Sequence, residues 1–183
     1  TIIAMCIDTY AAQQQKVLDG ATSDPPPTGL LEVVERMFDR CFSAGEYKQA
    51  AGIAMETRRL DVLERAIQTS GDPIGMLEYS FGVSMSLITS RAFRYQVLNL
   101  LARLYSEMPQ PDYFKMCQCF IYLEDGPSTT QVLMSLIKEG KEALAYQLAF
   151  DLFDSATQQF LAAVGDGLKS SSNSPTTEDG EAG

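Results

Sequence analysis

Helix-breaking residues recur along this sequence at short intervals, and the segments between them repeat apolar residues every three to four positions. Breaks fall at Pro25–Pro27, at Gly45 and at Met108–Pro111, among others. An apolar stripe of this period is typical of an amphipathic helix, whereas a half-buried strand alternates every second residue. Strand-like alternation is nearly absent. The sequence therefore predicts an all-α fold, an α-solenoid of about ten antiparallel helices stacked as hairpins.

The helix starts are assigned from side chains that can accept hydrogen bonds from the free N–H groups of a first turn. Asp72 before Pro73 predicts one start, and Ser90 predicts the next. Three further starts are predicted from a capping residue paired with an acid or amide three positions later. These pairs are Asp61 with Glu64, Ser128 with Gln131, and Ser155 with Gln158.

The apolar pattern continues to the end of a last helix predicted to reach about Val164, and the composition then changes. We expect residues 1–168 to form the helical solenoid. The segment 169–183 holds no large apolar residue, so it cannot bury enough surface to offset its ordering entropy. We expect it to be a disordered acidic linker. Because the sequence lacks an initiator Met and opens inside a helical pattern, we interpret it as the interior of a longer protein.

Charge and composition argue against several classes of function. The formal net charge is −10, whereas a nucleic-acid-binding domain needs clustered Lys and Arg to contact phosphates. We therefore expect no nucleic-acid partner and no membrane partner. The sequence has no histidine, which removes Ser-His-Asp and Cys-His catalysis and imidazole metal ligands. Asp151 and Asp154 share a helix face, but we interpret them as solvated. We expect no enzyme activity, no cofactor, no metal and no small-molecule substrate.

The four cysteines lie among apolar neighbours, which is typical of buried, reduced thiols in a cytosolic or nuclear protein. Cys117 and Cys119 form the only close pair. Residues two apart on a helix point to different faces, so core packing is favoured over a zinc site.

Three long strings carry a resemblance to a known family: Tyr47–Glu64, Cys117–Asp125 and Ala145–Leu161. In these strings, and in their order and spacing, the sequence resembles the largest non-ATPase subunit of the 26S proteasome regulatory particle. The resemblance covers roughly residues 1–165, and the acidic end resembles that family's low-complexity insert. The residues taken as the family signature, with a structural role expected, are Tyr47, Ala50, Arg58, Arg59, Asp61, Glu64, Gln158 and Gln159.

The resemblance implies a non-catalytic scaffold of the base subcomplex, made of an N-terminal rod of helical hairpins followed by a toroid that this sequence lacks. It implies lid and base subunits as partners, with ubiquitin or ubiquitin-shuttle proteins as further candidates, in the cytoplasm and nucleus. The family has no catalytic residues to carry over. Along the sequence, Glu56, Asp61 and Glu64 surround Arg58 and Arg59, so ion pairing at a hairpin turn is favoured over phosphate binding.

Two alternatives remain at this stage. A stand-alone tetratricopeptide-like adaptor would bind peptide or protein partners, but it predicts a 34-residue period that the sequence does not show. An enzyme with an unusual carboxylate site would need acids forced together in an apolar cleft.

Overall fold

The structure is a computed structural model that describes residues 2–18 and 27–172. These residues form ten α-helices and no strand, which confirms the predicted all-α class. The prolines Pro25 and Pro26 and the segment 173–183, the greater part of the predicted linker, lie outside the described residues. The helices are α1 (Ile2–Leu18), α2 (Thr28–Ala44), α3 (Tyr47–Glu56), α4 (Leu60–Thr69), α5 (Pro73–Ser86), α6 (Arg91–Glu107), α7 (Tyr113–Leu123), α8 (Gly126–Lys138), α9 (Glu142–Ser155) and α10 (Gln158–Ser172).

The chain divides into two compact units between Leu101 and Ala102, inside α6. In the first unit, successive helices from α1 to α5 pack on one another, and α3 also packs on both α1 and α5. Contacts between neighbours and between alternate helices are the packing expected of stacked hairpins. The residues predicted to form the core side of α6 are all buried, namely Phe93, Val97, Leu100, Leu101 and Leu104.

The second unit repeats this arrangement with α7 to α10. Helix α8 packs on α7, α9 and α10, and α7 also packs on α9. Its core is formed by eight buried side chains contributed by these four helices: Cys117, Leu133, Leu136, Ala145, Leu148, Leu152, Phe160 and Val164. Within each unit, therefore, the described residues form the predicted hairpin stack.

Two predicted helix starts are confirmed. The Asp72 carboxylate accepts a hydrogen bond from the backbone N–H of Gly75 at 2.9 Å, and Pro73 is the first residue of α5. At the start of α6, the backbone N–H of Phe93 donates to the Ser90 hydroxyl at 3.4 Å. Both side chains replace backbone acceptors that a first turn lacks.

The three predicted capping boxes are wrong in position. Helix α8 begins at Gly126, where the Asp125 carboxylate accepts from the backbone N–H of Ser128 at 3.0 Å and from its hydroxyl at 2.6 Å. Pro127 does not break this helix because a first-turn residue needs no N–H donor. Helix α9 runs through Ser155, and Thr157 supplies the hydroxyl at the start of α10, accepting from the Phe160 N–H at 3.3 Å.

The third of these positions, Asp61, lies inside the first turn of α4, which begins at Leu60. Its carboxylate pairs with the guanidinium of Arg59. The last helix is also longer than predicted, because α10 continues past Val164 to Ser172. The first four residues of the predicted linker, 169–172, therefore lie in α10. In the part of the chain that the structure describes, no helix has the length and apolar character to cross a bilayer.

Candidate functional site

Arg59 lies in the turn between α3 and α4 and forms a salt bridge with a residue of α2. Its guanidinium donates to both carboxylate oxygens of Asp61, at 2.8 and 2.7 Å. It also donates to Oε1 of Glu35 at 2.5 Å, a residue 24 positions earlier in the chain. The group lies 6.0 Å from the centre of the Phe38 ring. A planar guanidinium suits this bidentate pairing and ring contact better than an ammonium would.

The ionisation of this cluster follows from its hydrogen bonds. The bonds to Asp61 are the main cause that raises the pKa of Arg59, burial opposes the rise, and Glu35 and Tyr10 add to it. The same bonds from Arg59 lower the pKa of Asp61. Two carboxylates already occupy the guanidinium, so ion pairing rather than phosphate binding describes it, as the sequence predicted.

Arg58 occupies the same turn in a left-handed conformation, with φ of 58°. This conformation costs a non-glycine residue about 1–2 kcal/mol. It lets the backbone N–H of Arg59 return to the carbonyl of Ala54 at 2.8 Å, closing α3. The guanidinium of Arg58 lies 5.0 Å from the centre of the buried Phe93 ring, a cation–π contact that offsets part of that cost.

Three other signature residues lie on α3 and α4. The Tyr47 ring packs edge-on against the Phe42 ring, with centroids 6.1 Å apart. The guanidinium of Arg65 lies 4.1 Å from the centre of the Phe42 ring. Ala50 is fully buried, where a larger side chain would separate the helices that pack on α3. Glu64 accepts a hydrogen bond from the Gln68 side chain at 3.2 Å. The contacts of Tyr47 and Ala50 join neighbouring helices, whereas the Glu64 hydrogen bond lies within α4.

The remaining signature residues, Gln158 and Gln159, are the exposed first two residues of α10. They belong to the second unit, whereas the other six belong to the first. The structure thus brings Arg58, Arg59 and Asp61 together around one turn, and it does not gather all eight into a single site.

The thiols and carboxylates that the sequence analysis considered as a zinc site or an acid pair lie either in the core or at the surface. Burial is the main cause that raises the pKa of Cys117 and of Cys119 to about 12, so both thiols stay protonated near neutral pH. A protonated thiol is neither a nucleophile nor a zinc ligand. Asp151 and Asp154 are both exposed. Among the described residues, no group of three or more His, Cys, Asp or Glu side chains could hold a metal ion.

Sequence reasoning missed two sets of residues. The first is the set of long-range partners around the arginines, such as Glu35 and Phe93, for which no local pattern exists. The second is a group of bulky side chains that are 64–72% exposed on α9: Tyr146, Phe150 and Phe153. A signal for the second was present, because α9 carries apolar residues on opposite sides.

Comparison with known proteins gives a consistent result. A family model described as "26S proteasome subunit RPN2, N-terminal domain" matches residues 1–179. The chain is 44% identical over 180 residues to the 26S proteasome non-ATPase regulatory subunit 1 of Drosophila melanogaster, covering 96% of this chain and 18% of that protein. It is 40% identical to homolog A of that subunit in Arabidopsis thaliana, covering 92% of this chain and 17% of the relative.

A third relative is the 26S proteasome regulatory subunit RPN2 of Saccharomyces cerevisiae, at 32% identity over 88% of this chain and 18% of that protein. The chain therefore spans about a fifth of the length of the curated relatives that it matches. These matches confirm the resemblance carried by the strings 47–64, 117–125 and 145–161. The chain belongs to the family of the N-terminal domain of the 26S proteasome subunit RPN2.

Proposed function

We propose that this chain is a non-catalytic scaffold segment of the proteasome regulatory particle, which positions neighbouring subunits for ubiquitin-dependent protein degradation. The observation that carries the proposal is the match of residues 1–179 to a domain of a regulatory subunit, together with relatives named non-ATPase subunits. The stand-alone tetratricopeptide-like adaptor is not favoured, because the match spans nearly the whole chain.

The geometry supports a mechanism of positioning. Stacked helices hold surface residues at fixed separations, and the Arg59 junction joins α2, the turn after α3 and the start of α4. Such a framework loses little conformational entropy when a partner binds, because its surface is already ordered. The partners in this proposal are lid and base subunits, with ubiquitin and ubiquitin-shuttle proteins as further candidates. It includes no nucleic acid, membrane, cofactor or small-molecule substrate, and it locates the chain in the cytoplasm and nucleus.

Binding of the purified chain to separately assembled lid and base subcomplexes tests the proposal. We expect the folded chain to bind at least one of them. The control is Leu63→Asp, which places a charge at a fully buried position of α4 and should unfold the first unit. Binding that persists in this control is non-specific, and a folded chain that binds neither subcomplex contradicts the proposal. Ubiquitin chains added in place of the subcomplexes test the further partner.

A further inference from the structure

A groove in the first unit lies between α3 and α5 and is bordered by the turn that leads from α5 into α6, and it is called here the α3–α5 groove. Its volume is about 350 Å³, at the lower end of the size range of ligand pockets. Both helices, the turn and the start of α6 contribute its apolar lining, which consists of Met55, Val83, Leu87, Ile88 and Phe93. Leu87 is 72% exposed, so this apolar lining continues to the surface of the protein.

Arg58 also lines the groove, and its hydrogen-bonding groups are unused. The side chain belongs to a half-buried residue, and its guanidinium lies 5.0 Å from the centre of the Phe93 ring. In the described part of the chain, it forms no side-chain hydrogen bond and no ion pair. Its neighbour Arg59 differs, because its donors already pair with Asp61 and Glu35. The five N–H donors of Arg58 are therefore available to an acceptor from outside, and their planar fork matches a carboxylate.

The walls around this guanidinium are held in place by hydrogen bonds. The guanidinium of Arg94 donates to the carbonyl oxygen of Ile88 at 2.7 and 3.2 Å, which fixes the turn between α5 and α6. The backbone N–H of Phe93 donates to the Ser90 hydroxyl at the end of the same turn. A groove that is ordered before a partner arrives loses little conformational entropy on binding.

The charges at the groove favour an occupant with a single negative charge. Glu56 and Arg58 are its two charged lining residues. Glu56 is exposed, so water screens its charge, whereas the half-buried guanidinium of Arg58 is screened less. A phosphate group carries close to two negative charges and would meet one cation with an acid beside it, so a carboxylate fits better. The Tyr79 hydroxyl, which also lines the groove, can donate a further hydrogen bond to the same acceptor.

We propose that the α3–α5 groove binds a short segment of a neighbouring regulatory-particle subunit in which an Asp or Glu side chain stands next to a bulky apolar one. The carboxylate pairs with Arg58, and the apolar side chain packs against Val83 and Leu87. Arginines in small apolar pockets are among the residues that contribute most to binding at protein interfaces. This inference rests on the proposed scaffold function, to which it adds one contact surface and the chemistry of the partner.

Binding of the full-length protein to lid and base subcomplexes assembled without it tests the proposal. Glycine adopts a φ of 58° without strain, so Arg58→Gly removes the guanidinium and should leave the helical circular dichroism of the protein unchanged. We expect this variant to bind at least about tenfold more weakly than the wild type to one of the subcomplexes. The matched control is Arg65→Gln, which removes another arginine that lies over a ring in the same unit, 4.1 Å from the centre of Phe42. Its binding should stay within about twofold of the wild type.

A second variant tests the sign of the charge on the partner. If the occupant brings a carboxylate, Glu56→Gln removes a repulsive neighbour and should bind as tightly as the wild type or more tightly. If Glu56→Gln binds as weakly as Arg58→Gly, the partner presents a cation to the groove and the assigned chemistry is wrong.

Photo-crosslinking in the assembled particle identifies the occupant. Leu87 is replaced by p-benzoyl-phenylalanine, and the crosslinked peptides are sequenced by mass spectrometry. The control carries the same group at Gln96, an exposed residue of α6 that does not line the groove. We expect position 87, and not position 96, to crosslink to a peptide of another subunit in which an Asp or Glu lies beside a bulky apolar residue. A crosslink from position 87 only to its own chain overturns the proposal.

The two proposals fail in different ways. Wild-type binding that Arg58→Gly leaves unchanged contradicts the assignment of the α3–α5 groove and leaves the scaffold function intact. A folded wild-type protein that binds neither subcomplex contradicts the scaffold function and, with it, the inference that rests on it.

Discussion

The Arg59 junction should contribute measurably to stability, and its coupling to α2 can be isolated by a double-mutant cycle. The Arg59 side chain is 21% exposed, whereas those of Glu35 and Asp61 are 44% and 65% exposed. Pairs with well-exposed partners contribute only about 0.2–1 kcal/mol each because water screens them. Replacing Arg59 with Met keeps an unbranched side chain beside Phe38 and removes both pairs. We expect a loss of about 1–2 kcal/mol, or roughly 3–6 °C in Tm for a chain of this size.

The cycle uses Arg59→Met, Glu35→Gln and the double variant, measured by urea unfolding followed by circular dichroism. We expect a coupling energy between Arg59 and Glu35 of about 0.5–1 kcal/mol, at the upper end of the range for exposed pairs. The matched control is Arg103–Glu107, an ion pair within α6 at 3.1 Å with both side chains about half exposed. Its coupling should be about 0.3–0.5 kcal/mol. If the coupling of Arg59 to Glu35 does not exceed that of the control, the inference that this arginine fastens α2 to the α3–α4 turn is wrong.

The same junction predicts a pH dependence with a definite sign. Hydrogen bonds from Arg59 lower the pKa of Asp61 below the ordinary value of an aspartate side chain. A lowered pKa means that the folded state binds a proton less readily than the unfolded state. The contribution of Asp61 is therefore fully present above about pH 5 and is lost as the pH falls through the lowered pKa. The stability difference between the wild type and Asp61→Asn should shrink below about pH 4, and a difference that grows on acidification would refute the assignment.

Three further changes test the packing. The Ser80 hydroxyl is fully buried with no hydrogen-bond partner among the described residues, so Ser80→Ala should leave the free energy of unfolding unchanged or raise it by up to about 1 kcal/mol. At Gly82 on α5 a new methyl group would meet open space, so Gly82→Ala should stabilise the folded chain by about 0.5–1 kcal/mol. At Gly167 the new methyl group would lie 2.7 Å from a side-chain oxygen of α8, so Gly167→Ala should destabilise it. At pH 8, maleimide should modify the half-buried Cys6 before Cys117, whose pKa burial raises to about 12; equal rates in the folded chain would contradict that burial.

The fold class followed from the sequence because apolar periodicity and breakers are local signals. Asp72 with Pro73 marked the start of α5 correctly, since no competing acceptor stands beside them. At the start of α8, two acceptors compete, and Asp125 rather than Ser128 caps the helix. The structure shows the reason: a side chain on Gly126 would lie 3.1 Å from Ala163 of α10, so the first turn is fixed by packing that no local pattern contains.

The contacts at the arginine turn show the same limit. The sequence placed acids close to Arg59 and correctly favoured ion pairing with Asp61. The partner on α2, Glu35, is 24 residues away, and many exposed acids could have filled that role. Periodicity also failed to predict the end of α10, because Gly165 and Gly167 disfavour a helix. The absence of a side chain at Gly167 instead permits close contact with α8.

The two sides of α9 connect these limits to function. Local pattern could not distinguish the buried side, with Leu148 and Leu152, from the exposed side, with its three aromatic residues, because both sides have helical spacing and large apolar residues. The structure distinguishes the two sides of α9 by their burial. Core residues report only that the unit folds. Burial of Leu148 and Leu152 therefore assigns one side of α9 to the core of the second unit, whereas Tyr146, Phe150 and Phe153 lie outside that core.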